Sequence, residues 1–178
     1  MRSSLLLHIC CGPCATATVE YWRGQGVEPT GYYFNPNIQP YQEFEKRLEG
    51  VRAFAAATEL ALREDLTYDP VEWFRCAGLA GEERCRRCLG LRLTAAAAEA
   101  ADRGFPSLST TLSISPWQRH DFIKEEGARA AEEHGVEFRY VDLRHIYRKS
   151  QRMAVALGLY RQKYCGCVVS EWERYRGA

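Results

Sequence analysis

Seven of the eight cysteines in this 178-residue chain fall into three groups. Cys10, Cys11 and Cys14 close an apolar run, Leu5-Leu6-Leu7-His8-Ile9, long enough for a buried strand. Gly12 permits a sharp turn, and Pro13 suits the first position of a helix, where its missing N–H would have had no partner. Cys14 then falls in the first helical turn, where free N–H groups and the helix dipole favour a thiolate. Cys85 and Cys88 form a CxxC at the start of a long Ala-rich helix, and a spacing of three puts both sulfurs on one face. In Cys165-Gly166-Cys167 the glycine lets the backbone fold around a metal. Cys76, beside Phe74 and Ala77, reads as a small buried hydrophobe.

Grouped thiols of this kind admit three chemistries. Structural zinc takes four ligands in tetrahedral array, and thioredoxin-like exchange needs a single CxxC. A [4Fe–4S] cluster takes four cysteines and can draw them from separated segments. Ligand count and spacing favour iron–sulfur, with three thiols left for a second metal or for redox chemistry beside the cluster. A disulfide framework fits poorly, because the cysteines are clustered and a chain of this length buries a core without staples.

The formal net charge of +1 conceals an asymmetry. From Leu143 to Ser170 there are six Lys and Arg residues and no acid, and Arg84, Arg86, Arg87 and Arg92 form a second acid-free basic run. Both runs contain cysteines. Basic surface beside a reaction centre points to a polyanionic substrate, nucleic acid first. The N-terminus lacks the pattern of a signal peptide, and no apolar run approaches a membrane span. The expectation is an intracellular, cytoplasmic protein with no membrane anchor.

The elements that must position these residues alternate. Strands are expected at Leu5–Ile9, Val27–Phe34, Leu60–Leu66, Ser107–Leu112 and Val136–Val141. Helices are expected at Ala15–Arg23, Tyr41–Thr58, from Pro70, Arg84–Arg103, Trp117–His134, Gln151–Leu157 and Cys167–Arg176, with loops at Gly78–Gly81 and Gly158–Gly166. This alternation predicts one α/β domain over residues 1–178, a three-layer, mostly parallel, five-stranded Rossmann-like sheet. Ligands bind such sheets beyond the carboxyl ends of the strands. Cys10–Cys14, Asn35–Gln39 and Thr110–Ser115 all fall there.

Several motifs together carry a family resemblance. His8-Ile9-Cys10-Cys11-Gly12-Pro13-Cys14, Tyr33-Phe34-Asn35-Pro36-Asn37-Ile38, Arg84-Cys85-Arg86-Arg87-Cys88, Ser109-Thr110-Thr111-Leu112 with Ser115-Pro116, and Tyr160 to Cys167 resemble the cobalamin-independent epoxyqueuosine reductases called QueH. The resemblance runs in order from about Leu5 to Ser170. It implies reduction of epoxyqueuosine to queuosine at the wobble position of tRNA. It also implies a [4Fe–4S] cluster beside a mononuclear metal, iron by expectation. The sheet would resemble the adenine-nucleotide-hydrolase type, but cysteines replace the phosphate-binding glycine loop after strand one, so ATP use is not implied.

Turning an epoxide into an alkene takes two electrons and two protons and releases the oxygen as water, so an external electron donor is required. The cluster is assigned to Cys10, Cys85, Cys88 and Cys165, and the second metal, with the catalytic role, to Cys11, Cys14 and Cys167. The choice within each terminal pair stays open. Asn35, Asn37, Thr110, Thr111 and Ser115 are candidates to contact the modified base. Tyr160, Arg161, Gln162, Lys163 and Tyr164 mix stacking aromatics with phosphate-binding cations, a surface suited to an anticodon loop. Trp117 and Arg119 are further candidates, Trp117 being equally readable as core, and His8 reads more readily as a satisfied core histidine. The rival readings are a sulfur-inserting tRNA enzyme and a zinc-stabilised RNA-binding module.

Overall fold

The computed structural model describes residues 3–78 and 81–176; residues 79 and 80 of the loop expected at Gly78–Gly81 lie outside them. Five strands, β1 (Ser3–His8), β2 (Val27–Tyr33), β3 (Leu62–Glu64), β4 (Ser107–Thr110) and β5 (Glu137–Phe138), form one sheet in the order β3-β2-β1-β4-β5. Every neighbouring pair is parallel. The helices are α1 (Gly12–Gly24), α2 (Tyr41–Thr58), α3 (Pro70–Ala77), α4 (Gly81–Asp102), α5 (His120–His134), α6 (Tyr147–Ala156) and α7 (Val168–Tyr175). Strand order reverses between β1 and β4, so a crevice opens beyond their carboxyl ends.

β1 is apolar on both faces because both are covered. Leu5, Leu7 and Ile9 pack with Val19 and Trp22 of α1 and Phe44, Leu48, Val51 and Phe54 of α2. Leu6 points the other way, to Leu93, Ala96, Ala97 and Ala100 of α4 and Ala130 and Ala131 of α5. The alanines of α4 let that helix lie close on the sheet. Gly127 serves the same end on α5, because a Cβ there would overlap the Phe138 ring of β5. Gly127→Ala should therefore lower stability by about 1–3 kcal/mol in urea unfolding, although alanine is ordinarily the better helix former.

Tyr41–Thr58 is helical as expected, while other boundaries shifted for identifiable reasons. The strand expected at Ser107–Leu112 ends at Thr110, whose Oγ1 accepts from Leu112 N–H at 3.2 Å and starts a 3-10 turn, Thr111–Ile114. β5 is correspondingly short, since β4 offers it little to pair with. β3, an edge strand, pairs only over Leu62–Glu64. The helix expected from Trp117 begins at His120, and α6 begins four residues earlier than expected, at Tyr147. α6 docks on the first turn of α1, where Ser150 Oγ donates to Pro13 O and Thr16 Oγ1 donates to the same carbonyl at 2.9 Å. Among the described residues no helix is long and apolar enough to cross a membrane.

Candidate metal centre

β1 runs directly into the first cysteine group. Cys11 is the N-cap residue of α1 with extended backbone, and Pro13 takes an early helical position. The sulfurs of Cys10, Cys11 and Cys14 all lie within 4.8 Å of one another, with Cys10 and Cys11 at 3.7 Å. Thr111 holds Cys10 twice: its Oγ1 accepts from Cys10 N–H at 3.0 Å and donates to Cys10 Sγ at 3.3 Å. Ala17, Ile114 and Leu143 pack around Cys11 and Cys14.

The triad does not ionise as the helix dipole alone suggests. Hydrogen bonding with Cys11 and then Cys14 draws the Cys10 thiol well below its usual range. Burial drives Cys11 up, and Cys14 is raised by its hydrogen bonding with Cys10 and Cys11 and by burial. One negative charge in this apolar pocket resists a second. A coordinating cation reverses that balance and deprotonates thiols outright.

The remaining grouped cysteines face the same crevice. Cys10, Cys14, Cys85, Cys88, Cys165 and Cys167 line one cavity of about 630 Å³, with Cys11 buried beside Cys10. Cys88 and Cys167 pack together against Trp73 and Ala77, while Cys10 and Cys85 both abut Leu89 and Leu112. Among the described residues only the first triad brings three ligand atoms within 4.8 Å of one another. Five buried polar atoms on the cavity wall lack hydrogen-bond partners: Asn37 Oδ1, Trp73 Nε1, Arg84 Nε, Arg92 Nε and Gln162 Oε1. Unused polar atoms concentrated on one wall are the mark of a site built for a ligand. A donor set of soft thiolates fits iron or zinc.

A buried network aims the CxC loop at this cavity. Arg47 of α2 donates through Nη1 to Cys165 O at 2.7 Å and through Nη2 to Tyr164 O at 3.1 Å, and pairs through Nε with Glu43 at 2.8 Å. Tyr160 OH donates to the other Glu43 oxygen at 2.6 Å, and Tyr164 OH donates to Gln39 O at 2.5 Å. Gly166 has φ +155°, and a Cβ on it would stand 2.6 Å from Asn37 Nδ2, so the position admits no side chain. Gln162 Nε2 donates to Cys11 Sγ at 2.8 Å, and Gln118 Nε2 to Cys165 Sγ at 3.3 Å.

Several residues expected at the substrate have partners within the chain that position the site. Asn35 is buried and donates to Ile9 O at 2.9 Å while accepting from Arg92 at 3.0 Å, tying the exits of β1 and β2 to α4. Thr110 Oγ1 is bonded to His8 Nδ1 at 2.9 Å, and Thr111 is spent on Cys10. Tyr164 lies with its ring under the Arg47 guanidinium and its hydroxyl engaged. Asn37, Ser115, Arg161 and Tyr164 do line the cavity. His8 is a core residue: burial, then the Arg92 charge, holds it neutral down to about 3. Cys76 is exposed, not buried as expected, because it falls on the outer side of α3, where its thiol donates to Glu72 at 3.2 Å. Trp117 is 83% exposed at the cavity rim and so is not core.

Sequence reasoning passed over Arg47, Trp73 and Gln118 and read Arg84 and Arg92 only as part of a basic run, yet all five line the cavity. Two left a signal. Arg47 and Glu43 interrupt an apolar helix face at a spacing of four, and Arg92 follows Cys85 and Cys88 on one face of α4.

Comparison with known proteins agrees with the motifs. The family described as epoxyqueuosine reductase QueH matches residues 5–173. The chain belongs to that family. The epoxyqueuosine reductase QueH of Dehalococcoides mccartyi is 41% identical over 175 residues, covering 98% of this chain and 96% of that protein. The QueH of Thermotoga maritima is 36% identical, covering 96% and 92%. As a QueH-family protein the chain is an oxidoreductase. A solved structure of a predicted subunit of tRNA methyltransferase from Methanocaldococcus jannaschii superposes with TM-score 0.52 at 12% identity, covering 94% of this chain and 97% of that one. That likeness concerns the fold alone; in this QueH-family chain cysteines follow β1.

Proposed function

We propose that this chain reduces the epoxide of epoxyqueuosine in tRNA to the alkene of queuosine, in the cytoplasm, using a metal centre held by its seven grouped cysteines. The observation that carries the reading is the gathering of six of those thiols on one cavity wall at the strand-order switch of a QueH-family chain. The cavity also presents Arg47, Arg84, Arg92, Arg119, Arg161, Lys163 and Arg174 against the single acid Glu173, a balance suited to a polyanion.

Packing supports a partition of the thiols. Cys10 touches both apolar groups, the one around Cys11 and Cys14 and the one around Cys85, while Cys88 and Cys167 share a third. Cys165 is exposed, and the Arg47 charge acts on it and on Cys11 together. We therefore assign a [4Fe–4S] cluster to Cys10, Cys85, Cys88 and one cysteine of the C-terminal pair, and a second metal, iron, to Cys11, Cys14 and the other. When bound, such a centre supplies electrons singly or in pairs and a Lewis acid for the epoxide oxygen.

The protein's own part is placement. Gln162 and Gln118 fix the Cys11 and Cys165 sulfurs by hydrogen bonds, and such partners commonly contribute 10- to 100-fold to metal affinity or activity. The free acceptors Asn37 Oδ1 and Gln162 Oε1 are available to hydroxyl or amine donors of the modified base. Arg161 and Lys163 at the rim can hold phosphates, and Trp117 offers a stacking face for a loop base.

The test is anaerobic incubation of iron-loaded protein with epoxyqueuosine-containing tRNA and a low-potential reductant, followed by nucleoside mass analysis. The expected product has lost one oxygen. Unchanged epoxyqueuosine under iron-replete conditions would overturn the reading.

A further inference from the structure

Arg92 lies four residues after Cys88 and seven after Cys85, on the same face of α4. It is 2% exposed. Nη2 donates to the neutral oxygen of Asn35 at 3.0 Å, and Nε is buried without an acceptor. The other buried cations of this cavity have carboxylates, Glu43 at 2.8 Å from Arg47 and Glu173 at 3.4 Å from Arg84. Among the described residues Arg92 forms no ion pair of that kind.

A buried guanidinium without a counter-charge is heavily penalised, and proteins keep one only where an anion answers it. Arg92 shares its cavity wall with thiols. It lines the cavity with Cys10, Cys85, Cys88 and Cys167, and its charge acts on both Cys10 and Cys88. An iron–sulfur centre with thiolate ligands is a net anion and becomes one unit more negative with each electron it accepts, so a fixed nearby cation favours its reduced state.

We infer that Arg92 is the built-in counter-charge of the metal–thiolate centre, a positioning residue that sets how easily the centre is reduced and touches no reacting atom. This rests on the reductase reading above. It assigns the residue a redox role distinct from its hydrogen bond to Asn35, which any neutral donor of similar reach would satisfy.

The test compares anaerobically prepared wild type, Arg92→Lys, Arg92→Gln and Asn35→Asp for iron, acid-labile sulfide and midpoint potential in a dithionite titration followed by electron paramagnetic resonance. Arg92→Gln should keep its iron and titrate at a potential lower by at least about 59 mV, a tenfold shift in the reduced-to-oxidised ratio for one electron. Arg92→Lys should lie closer to wild type. Asn35→Asp should also titrate lower, because it gives Arg92 a carboxylate and cancels its charge in place. Iron-loaded Arg92→Gln and Asn35→Asp proteins at the wild-type potential would overturn the inference alone. If Arg92→Gln does not fold, Asn35→Asp decides the matter by the same criterion. A wild-type protein without iron or labile sulfide would overturn the reductase reading and this inference with it.

Discussion

Cys14→Ala is expected to keep the visible absorbance of an iron–sulfur cluster and to lose turnover of epoxyqueuosine tRNA by about a hundredfold or more, the upper end of what even outer-sphere changes cost. Cys85→Ala should lose nearly all iron. The contrast follows from where the two thiols lie. Cys14, in the first turn of α1, packs with Cys11 against Ala17, Ile114 and Leu143, whereas Cys85 sits on α4 beside Leu89 and Leu112, where Cys10 also reaches. Removing Cys14 takes one ligand from the compact triad and leaves the four thiols assigned to the cluster. Iron and sulfide assays with the absorbance spectrum of both variants check this, beside single-turnover kinetics. Loss of the whole cluster from Cys14→Ala would show that the two metal sites are not separable in this way.

The layering was legible because β1 is apolar on both faces and the helices carry clear periodicity, so a parallel sheet with covered faces followed directly. The three cysteine groups were legible as belonging together for a similar reason, since thiols spaced for one ligand have few other uses, and six of the seven line one cavity. Exits from strands were harder. Thr110 and Thr111 look like strand residues by propensity, but their hydroxyls bond His8, Leu112 N–H and Cys10, and those local bonds turn the chain. Asn35 reads as a substrate contact because it stands at a strand end, while its partners within the chain, Ile9 O and Arg92, are 26 and 57 residues away. Such long-range pairings leave no period in the sequence. Arg92 shows the limit most clearly, since its place on the cysteine face of α4 could be read, but its lack of a carboxylate could not.

Arg47→Leu is expected to be the most destabilising single change at the site and to strip the C-terminal cysteines of their geometry. Arg47 and Glu43 are both buried and paired at 2.8 Å, and breaking such a pair from one side costs about 3–5 kcal/mol, because the other charge remains buried alone. Urea unfolding should register that loss. The same substitution frees the carbonyls of Tyr164 and Cys165, the two residues whose path sets up Gly166 and Cys167. Stability and metal loading are therefore separable. Adding Glu43→Leu removes the orphaned carboxylate and should recover much of the stability, since an apolar replacement of a whole buried pair is often neutral. It should not restore iron, because neither leucine can donate to the two loop carbonyls. A double variant that regained both stability and full iron would mean that the pair serves the core and that the loop holds its cysteines unaided. One that regained stability but stayed iron-poor would identify Arg47 as the clamp that brings the Cys165-Gly166-Cys167 loop to the cysteines that follow β1.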